Sequence, residues 1–354
     1  MKNPTERRTL MKKTINQSQL DEIMSYATTK KNIFGAVLCV EKEDDSLSLV
    51  SGVGNIQPDD QYFIASVTKL YITAVILKLR LEKQLQLDDK ISKYLSKEIV
   101  SHIHVFKGID YSNEITIKHL MSNTSGIPEY FSSDVIKELV INGNDDSWPL
   151  EKTLEVIKEK KPNFIPGQKG KASYSDPNYK LLGKIIETIT GKRIQDVLKE
   201  FIFDELKLEK TYVFEDVKDS RPVPIYYKSK PLHLPLYMSS ISSEGGVVST
   251  AKETMIFFRA FFNGHFFPKE NLTELMHWNL IFGPGVFYYG IGISQQPLSL
   301  FEFKRGLIGH WGHSGAFAFY HPKTDIYFTG TINQFTGHGV AVKLMRDVIK
   351  FFKE

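Results

Sequence analysis

The residues best equipped for chemistry in this sequence are Ser66 and Lys69, in the run Ile64-Ala65-Ser66-Val67-Thr68-Lys69-Leu70. A mostly apolar stretch continues to Leu79. The spacing therefore predicts a helix with Ser66 at its N-terminus, where unpaired N–H groups and the positive dipole end favour a developing anion. Lys69 falls one turn along the same face. A serine hydroxyl is a poor nucleophile until a base takes its proton, and an amine desolvated by an apolar helix can be that base near neutral pH. The spacing by itself fits a second reading as well, an N-cap serine followed by a solvated lysine.

A catalytic pair of this kind needs a further proton-handling group and a strand edge that can hold a substrate. Pro166-Gly167, followed by Tyr174-Ser175-Asp176-Pro177-Asn178-Tyr179, offers the first. His310-Trp311-Gly312-His313-Ser314-Gly315-Ala316, at the start of a predicted strand, offers the second. With these stretches in order, the sequence resembles the serine β-lactamase and penicillin-binding-protein superfamily, in its class C-like branch of DD-peptidases, D-aminopeptidases and esterases. The family signatures Ser-x-x-Lys, Tyr-Ser/Ala-Asn and Lys-Thr-Gly or His-x-Gly correspond to residues 66–69, 174–176 and 313–315. Stretches 117–126, 244–252 and 289–292 are similar too, so the resemblance covers about residues 15–354.

The resemblance implies that Ser66 is the nucleophile and that Lys69 and Tyr174 share the work of general base and acid. It implies an oxyanion hole made by the backbone N–H groups of Ser66 and Ala316, with Ser314, Gly315 and Ala316 along the edge that holds substrate. His313 stands where relatives carry Lys or His and would tune Tyr174 electrostatically; a structural histidine is the other reading. Asp176 departs from the usual Asn. An amide can donate to a substrate carbonyl, whereas a carboxylate only accepts. Asp176 is thus expected to disfavour acylamino substrates such as β-lactams and to favour an ammonium or hydroxyl. It also opens the alternative of a weakened enzyme, in which the carboxylate binds Lys69 and keeps it charged. Tyr111-Ser112-Asn113 matches the second signature literally but lacks its flanking residues, and is read as a decoy.

The elements that must position these residues can be read from periodicity. A helix is predicted over 17–28 with Ser18 as a possible cap, then a hairpin of strands 33–40 and 46–53. Helical segments follow at 149–160, 178–190 and 193–206, and residues 221–236, with four prolines, read as a long loop. A helix at 250–263 precedes strands at 286–293, 299–308, 314–320 and 325–332, and an amphipathic helix over 338–353 closes the chain. This order predicts an α/β (α+β) fold: a mainly antiparallel sheet flanked by terminal helices, with an inserted all-helical lobe, β-lactamase/transpeptidase-like by resemblance. The expected organisation is a basic tail at 1–14, a discontinuous α/β lobe of 15–65 and 245–354, and a mainly helical lobe at 66–244.

The 354 residues are 42% hydrophobic and 24% charged, enough for a sizeable core. The net charge of +4 resides in the first 13 residues and leaves a neutral body, which argues against a nucleic-acid surface. Cys39, the one cysteine, lies in an apolar run and reads as a small core residue. The N-terminus lacks the apolar core of a secretory signal and no run approaches the length of a membrane span, so the chain as given reads as soluble and cytoplasmic. His102 with His104, and His310 with His313, lack further ligands at metal spacing. Residues 167–171 do not make a phosphate loop, and Ser314 does not sit in a nucleophile elbow. The aromatics of 226–237 and 282–289 read equally as pocket lining or core. The expected activity is a serine hydrolase working through an acyl-enzyme on a small ester or a D-amino-acid amide or peptide, without cofactor or metal. A β-lactamase or DD-peptidase, and a penicillin-binding module without turnover, are the alternatives.

Overall fold

The structure, a computed structural model, describes residues 14–282, 287–298, 306–335 and 337–352. Eight antiparallel strands form its main sheet, in the order Asn279–Phe282, Phe287–Tyr289, Ser294–Gln296, Leu307–Trp311, Ala316–His321, Ile326–Thr331, Gly35–Lys42, Ser48–Gly54. The predicted hairpin is present, and its first strand also pairs with Ile326–Thr331, from Val37 opposite Thr331 to Lys42 opposite Ile326. Alternation along that strand decides how the layers stack. Ala36, Leu38 and Val40 join the core under the terminal helices Gln17–Thr28 and His338–Ile349. Val37 and Cys39 face the larger core, shared with the helices Thr68–Leu81, Pro177–Thr190 and Ala251–Phe262. Burial pushes the Cys39 thiol up to about 12, so it behaves as an apolar side chain.

The first helix is capped by Asn16, not Ser18: its side chain accepts from Gln19 N and Gln19 Oε1 accepts from Asn16 N, each at 3.0 Å. The segment expected as a loop at 221–236 contains a two-stranded hairpin, Ile225–Tyr227 with Lys230–Leu232, and a short helix Pro235–Ser239. Proline is compatible with both, on an edge strand and at the first helical position, where no N–H is needed. The Asp145 carboxylate caps that helix from far away in the chain, accepting from Leu236 N at 2.7 Å and Tyr237 N at 2.9 Å. The helix expected over 193–206 becomes Ile194–Leu198 followed by a wider π turn, Lys199–Phe203. Of the run 286–293 only Phe287–Tyr289 is strand; it ends at Gly290, the next strand, Ser294–Gln296, begins just beyond the run, and residue 286 lies outside the described residues. Of 299–308, residues 299–305 lie outside them, as does the basic tail up to residue 13.

Gly292 fixes the site's supporting helix. Its φ is +76°, and a Cβ there would stand 2.3 Å from Thr73 Oγ1. Thr73, one turn beyond Lys69, lies 2.8 Å from Lys69 O and 3.1 Å from Gly292 O through the same hydroxyl. Gly292→Ala is expected to destabilise the fold by about 2–4 kcal/mol through strain and overlap, read as a lower urea midpoint at unchanged m. An unaltered midpoint would show that this contact yields freely.

Candidate active site

Ser66 lies in a single 3-10 turn, Ala65–Val67, and the α-helix Thr68–Leu81 starts only after it, two residues later than the sequence predicts. The cause is Ala65, whose φ of +46° puts a non-glycine residue in the left-handed region immediately before the serine. Such strain persists only where the surroundings fix it. Here Ile64 N donates to Val247 O at 3.0 Å, and Gly312 packs so closely that a Cβ would sit 2.4 Å from Ile64 O. The helix is buried on nearly every side, which its continuous apolar run requires, and Lys69 is wholly enclosed.

Three acceptors surround the Lys69 amine: Ser66 Oγ at 2.9 Å, Glu244 O at 2.6 Å and Asp176 Oδ1 at 2.7 Å. A neutral amine has two hydrogens and one lone pair. The carbonyl and the carboxylate can only accept, so neither competes for the lone pair, which is left for the serine proton. A charged amine has no lone pair and takes no proton.

The Tyr174 phenol and the Ser66 hydroxyl are close enough to interact. Burial holds the phenol well above the usual tyrosine range, the Asp176 charge adds to this, and the neighbouring Ser66 hydroxyl works against it. The Lys69 amine lies 5.3 Å from the ring centres of both Tyr174 and Tyr179. Asn123 holds this stretch in place. Its side-chain oxygen accepts from Ser175 N at 3.2 Å and Asn178 Nδ2 at 2.9 Å, and its carbonyl accepts from Ser173 N at 2.9 Å. Asn123 itself sits at a φ of +58°, which asparagine tolerates better than most residues. Glu129 accepts from both Asp176 N and Phe131 N at 2.7 Å; burial, then the charge of Asp176, pushes its carboxyl up to about 8.

The third stretch begins as a turn: Gly315, at a φ of +89°, donates to Gly312 O at 2.9 Å, and the strand starts at Ala316. The Ser314 hydroxyl donates to Phe63 O at 2.6 Å, so it braces the turn. Ala316 N–H makes a 3.4 Å contact to Ser314 Oγ, long enough to yield to a better acceptor. His313 is exposed in the cleft, its ring between Phe131 and Phe335 with centroids 5.9 and 5.5 Å away. The protein around it partly desolvates the ring and lowers its pKa; Asp176 opposes this and the Lys69 charge reinforces it. The histidine ring that meets Tyr174 is that of His310, 6.2 Å away between centroids. Burial pulls His310 down to about 3, so it is neutral. Its Nδ1 donates to Trp311 O at 2.6 Å, leaving Nε2 to accept from the Tyr289 hydroxyl at 3.0 Å.

The structure thus brings Ser66, Lys69, Tyr174 and Asp176 together and places His313, Ser314, Gly315 and Ala316 beside them. Ser66, Asp176, Glu244 and His313 line a cleft of about 590 Å³ including its open mouth. Its walls are apolar, with Phe131, Leu139, Val140, Leu234, Met238 and Phe335 among them. Tyr237 also lines the cleft, whereas Tyr289 and Phe287 are buried, which divides the predicted aromatic groups between lining and core. Sequence reasoning missed Glu129, Asn123 and the carbonyl of Glu244. Asn123 and Glu244 lie in stretches that carry the resemblance, 117–126 and 244–252, and Asn123 also in a polar Ser-Asn-Thr-Ser-Gly cluster directly after a helix, whereas Glu129 left no signal.

The remaining candidates have local partners. His102 Nδ1 pairs with Asp110 at 3.0 Å, and His104 Nε2 lies 2.8 Å from Phe164 O. Ser112 of the decoy motif accepts from His104 N at 3.0 Å. Among the described residues no group of three His, Cys, Asp or Glu could hold a metal ion, and no helix is long and apolar enough to cross a membrane.

The model of the Beta-lactamase family matches residues 19–349. Protein flp of Staphylococcus aureus (strain MW2) is 30% identical over 207 residues, which are 55% of this chain and 38% of that protein. The match thus spans well under half of that relative's length. A D-stereospecific amidohydrolase from Streptomyces sp. superposes with a TM-score of 0.79 at 24% identity, over 94% of this chain and 98% of that one. A D-amino acid amidase from Ochrobactrum anthropi SV3 superposes with a TM-score of 0.76 at 21% identity, over 92% and 98%. At these identities the likeness is one of fold.

Proposed function

This chain belongs to the Beta-lactamase family, and on that premise we propose that it is a serine hydrolase acting through an acyl-enzyme on a small ester or a D-amino-acid amide or peptide. One observation carries the reading: the Lys69 amine stands 2.9 Å from Ser66 Oγ while Glu244 O and Asp176 occupy its other directions. Ser66 Oγ attacks the substrate carbonyl as its proton passes to Lys69. The oxyanion of the tetrahedral intermediate is held by the N–H groups of Ser66 and Ala316. Tyr174, beside Ser66, passes its proton to the leaving group as the bond to the acyl carbon breaks, and it takes up in turn the proton that Lys69 received. Water then attacks the acyl ester, gives a proton to the same groups and expels Ser66 Oγ, which is reprotonated. The apolar walls suit an acyl group with a bulky hydrophobic side chain, and His313 with the 314–316 edge borders the leaving-group side.

The Lys69–Asp176 ion pair favours a second reading. If it keeps the amine charged, Ser66 has no base, and the protein binds or is acylated without turning over. A β-lactamase or DD-peptidase remains the rival within the enzyme class. Intact mass after treatment with a fluorophosphonate, followed by rates on p-nitrophenyl esters, D-aminoacyl anilides and a chromogenic cephalosporin, separates these. We expect one adduct and steady turnover of an ester or anilide. No adduct would sink the proposal; an acylation burst without turnover would establish the binding module. Tyr174→Phe is expected to lower kcat/KM on the best substrate about 10²–10⁴-fold with an unchanged melting temperature. A loss below threefold would remove Tyr174 from proton transfer.

A further inference from the structure

Glu244 meets Lys69 in two ways. Its carbonyl oxygen is 2.6 Å from the amine, and its carboxyl belongs to the same buried cluster. That carboxyl is anchored: Oε1 accepts from the Tyr130 hydroxyl at 2.5 Å and lies 3.3 Å from Lys180 Nζ. Lys180 is in turn fixed by Trp148 O at 2.5 Å and Ser240 O at 3.1 Å, and Tyr130 by the Tyr237 hydroxyl at 3.2 Å. Glu244 is 2% and Lys180 6% exposed, and Glu244 Oε2 has no hydrogen-bond partner among the described residues. A buried ion pair is a costly way to fill space, since apolar residues of similar volume do so as well or better.

We infer that Glu244 is a positioning residue for Ser66 and Lys69, its side chain locked by Lys180 and Tyr130 so that its carbonyl holds the amine, while its carboxylate charge resists loss of the amine's proton. The inference rests on the reading of Ser66 and Lys69 as nucleophile and base. The groups facing the Glu244 carboxyl are Lys69, Asp176, Glu129, Lys180, Tyr130 and Tyr237. Lys69 also acts on His310 and His313. Burial lifts the Glu244 carboxyl to about 7, Lys180 opposes this most, and Asp176 adds to it. Below that pH the carboxyl is neutral and exerts no pull on the amine. Above it the carboxylate retains the amine's proton, so two coupled ionisations spread the rise of reactivity with pH.

The test is the rate of fluorophosphonate labelling from pH 5 to 10 in the parent, Glu244→Gln and Glu244→Ala, with melting temperatures alongside. Independently, the Lys69 amine is titrated by NMR in protein labelled with ¹⁵N at lysine Nζ. Glutamine keeps the carbonyl and an oxygen for Tyr130 and Lys180 but loses the charge. Its limb is expected to steepen and move about one pH unit lower, with the NMR midpoint following. Alanine also loses the anchor, and its plateau rate is expected to fall about 10- to 100-fold. Parental midpoints in Glu244→Gln by both methods overturn the inference. If the parent takes no label, the hydrolase reading falls, while the NMR midpoints still decide whether Glu244 controls the amine.

Discussion

Ser66→Ala is expected to abolish the fluorophosphonate adduct and lower kcat by at least ~10⁴-fold, since removing the nucleophile of a concerted unit eliminates nearly all of its rate enhancement. Folding should be unaffected. The serine is 9% exposed, and alanine deletes one oxygen that bonds only within the site. The loss should appear in kcat at unchanged or lower KM, because the hydroxyl acts in the transition state rather than in holding the substrate. Residual labelling of Ser66→Ala would place the reactive serine elsewhere and dissolve the proposed site.

Asp176→Asn is the second large effect, and here the direction is the informative part. The carboxylate makes an ion pair with Lys69 at 2.7 Å, with side chains only 1% and 10% exposed, and it lines the cleft. Truncation to alanine would leave a buried amine without its partner, at a cost of about 3–5 kcal/mol. Asparagine avoids this, because its side-chain oxygen still faces the amine while the charge is gone and an N–H₂ donor appears. A charged hydrogen bond is worth about 1.5–3 kcal/mol, so the ratio of cephalosporin acylation to D-aminoacyl anilide hydrolysis should rise at least ~10-fold. Equal ratios in parent and variant would show that Asp176 does not select the substrate. A rise on every substrate alike would mean instead that its charge restrains Lys69.

What the sequence disclosed follows from how local each interaction is. Ser66 and Lys69 are one turn apart, so the spacing that suggested the pair is also the spacing that builds it. The first strand of the hairpin was legible as a continuous apolar run, and the run is continuous because Ala36, Leu38 and Val40 face one core while Val37 and Cys39 face the other. The 3-10 turn at Ser66 was not, because nothing in an alanine announces the left-handed backbone that tertiary contacts impose on Ala65. Glu129 escaped for another reason: its partners are two backbone N–H groups, which carry no side-chain signature. The carbonyl of Glu244 is hidden in the same way. The helix Pro235–Ser239 depends on Asp145, a cap that only the folded chain supplies.

The Lys69 amine reaches a carbonyl 175 residues further along the chain and a carboxylate from a third segment. Its environment is therefore a product of long loop closures, whose entropic cost must be met before any of these contacts forms. Partly folded states that retain the helix Thr68–Leu81 alone would hold the lysine yet lack both the turn that presents the serine and the groups that orient the amine. Reactivity toward the probe should consequently vanish in the same cooperative step as the tertiary structure, which makes covalent labelling a sensitive gauge of native population during denaturant titration.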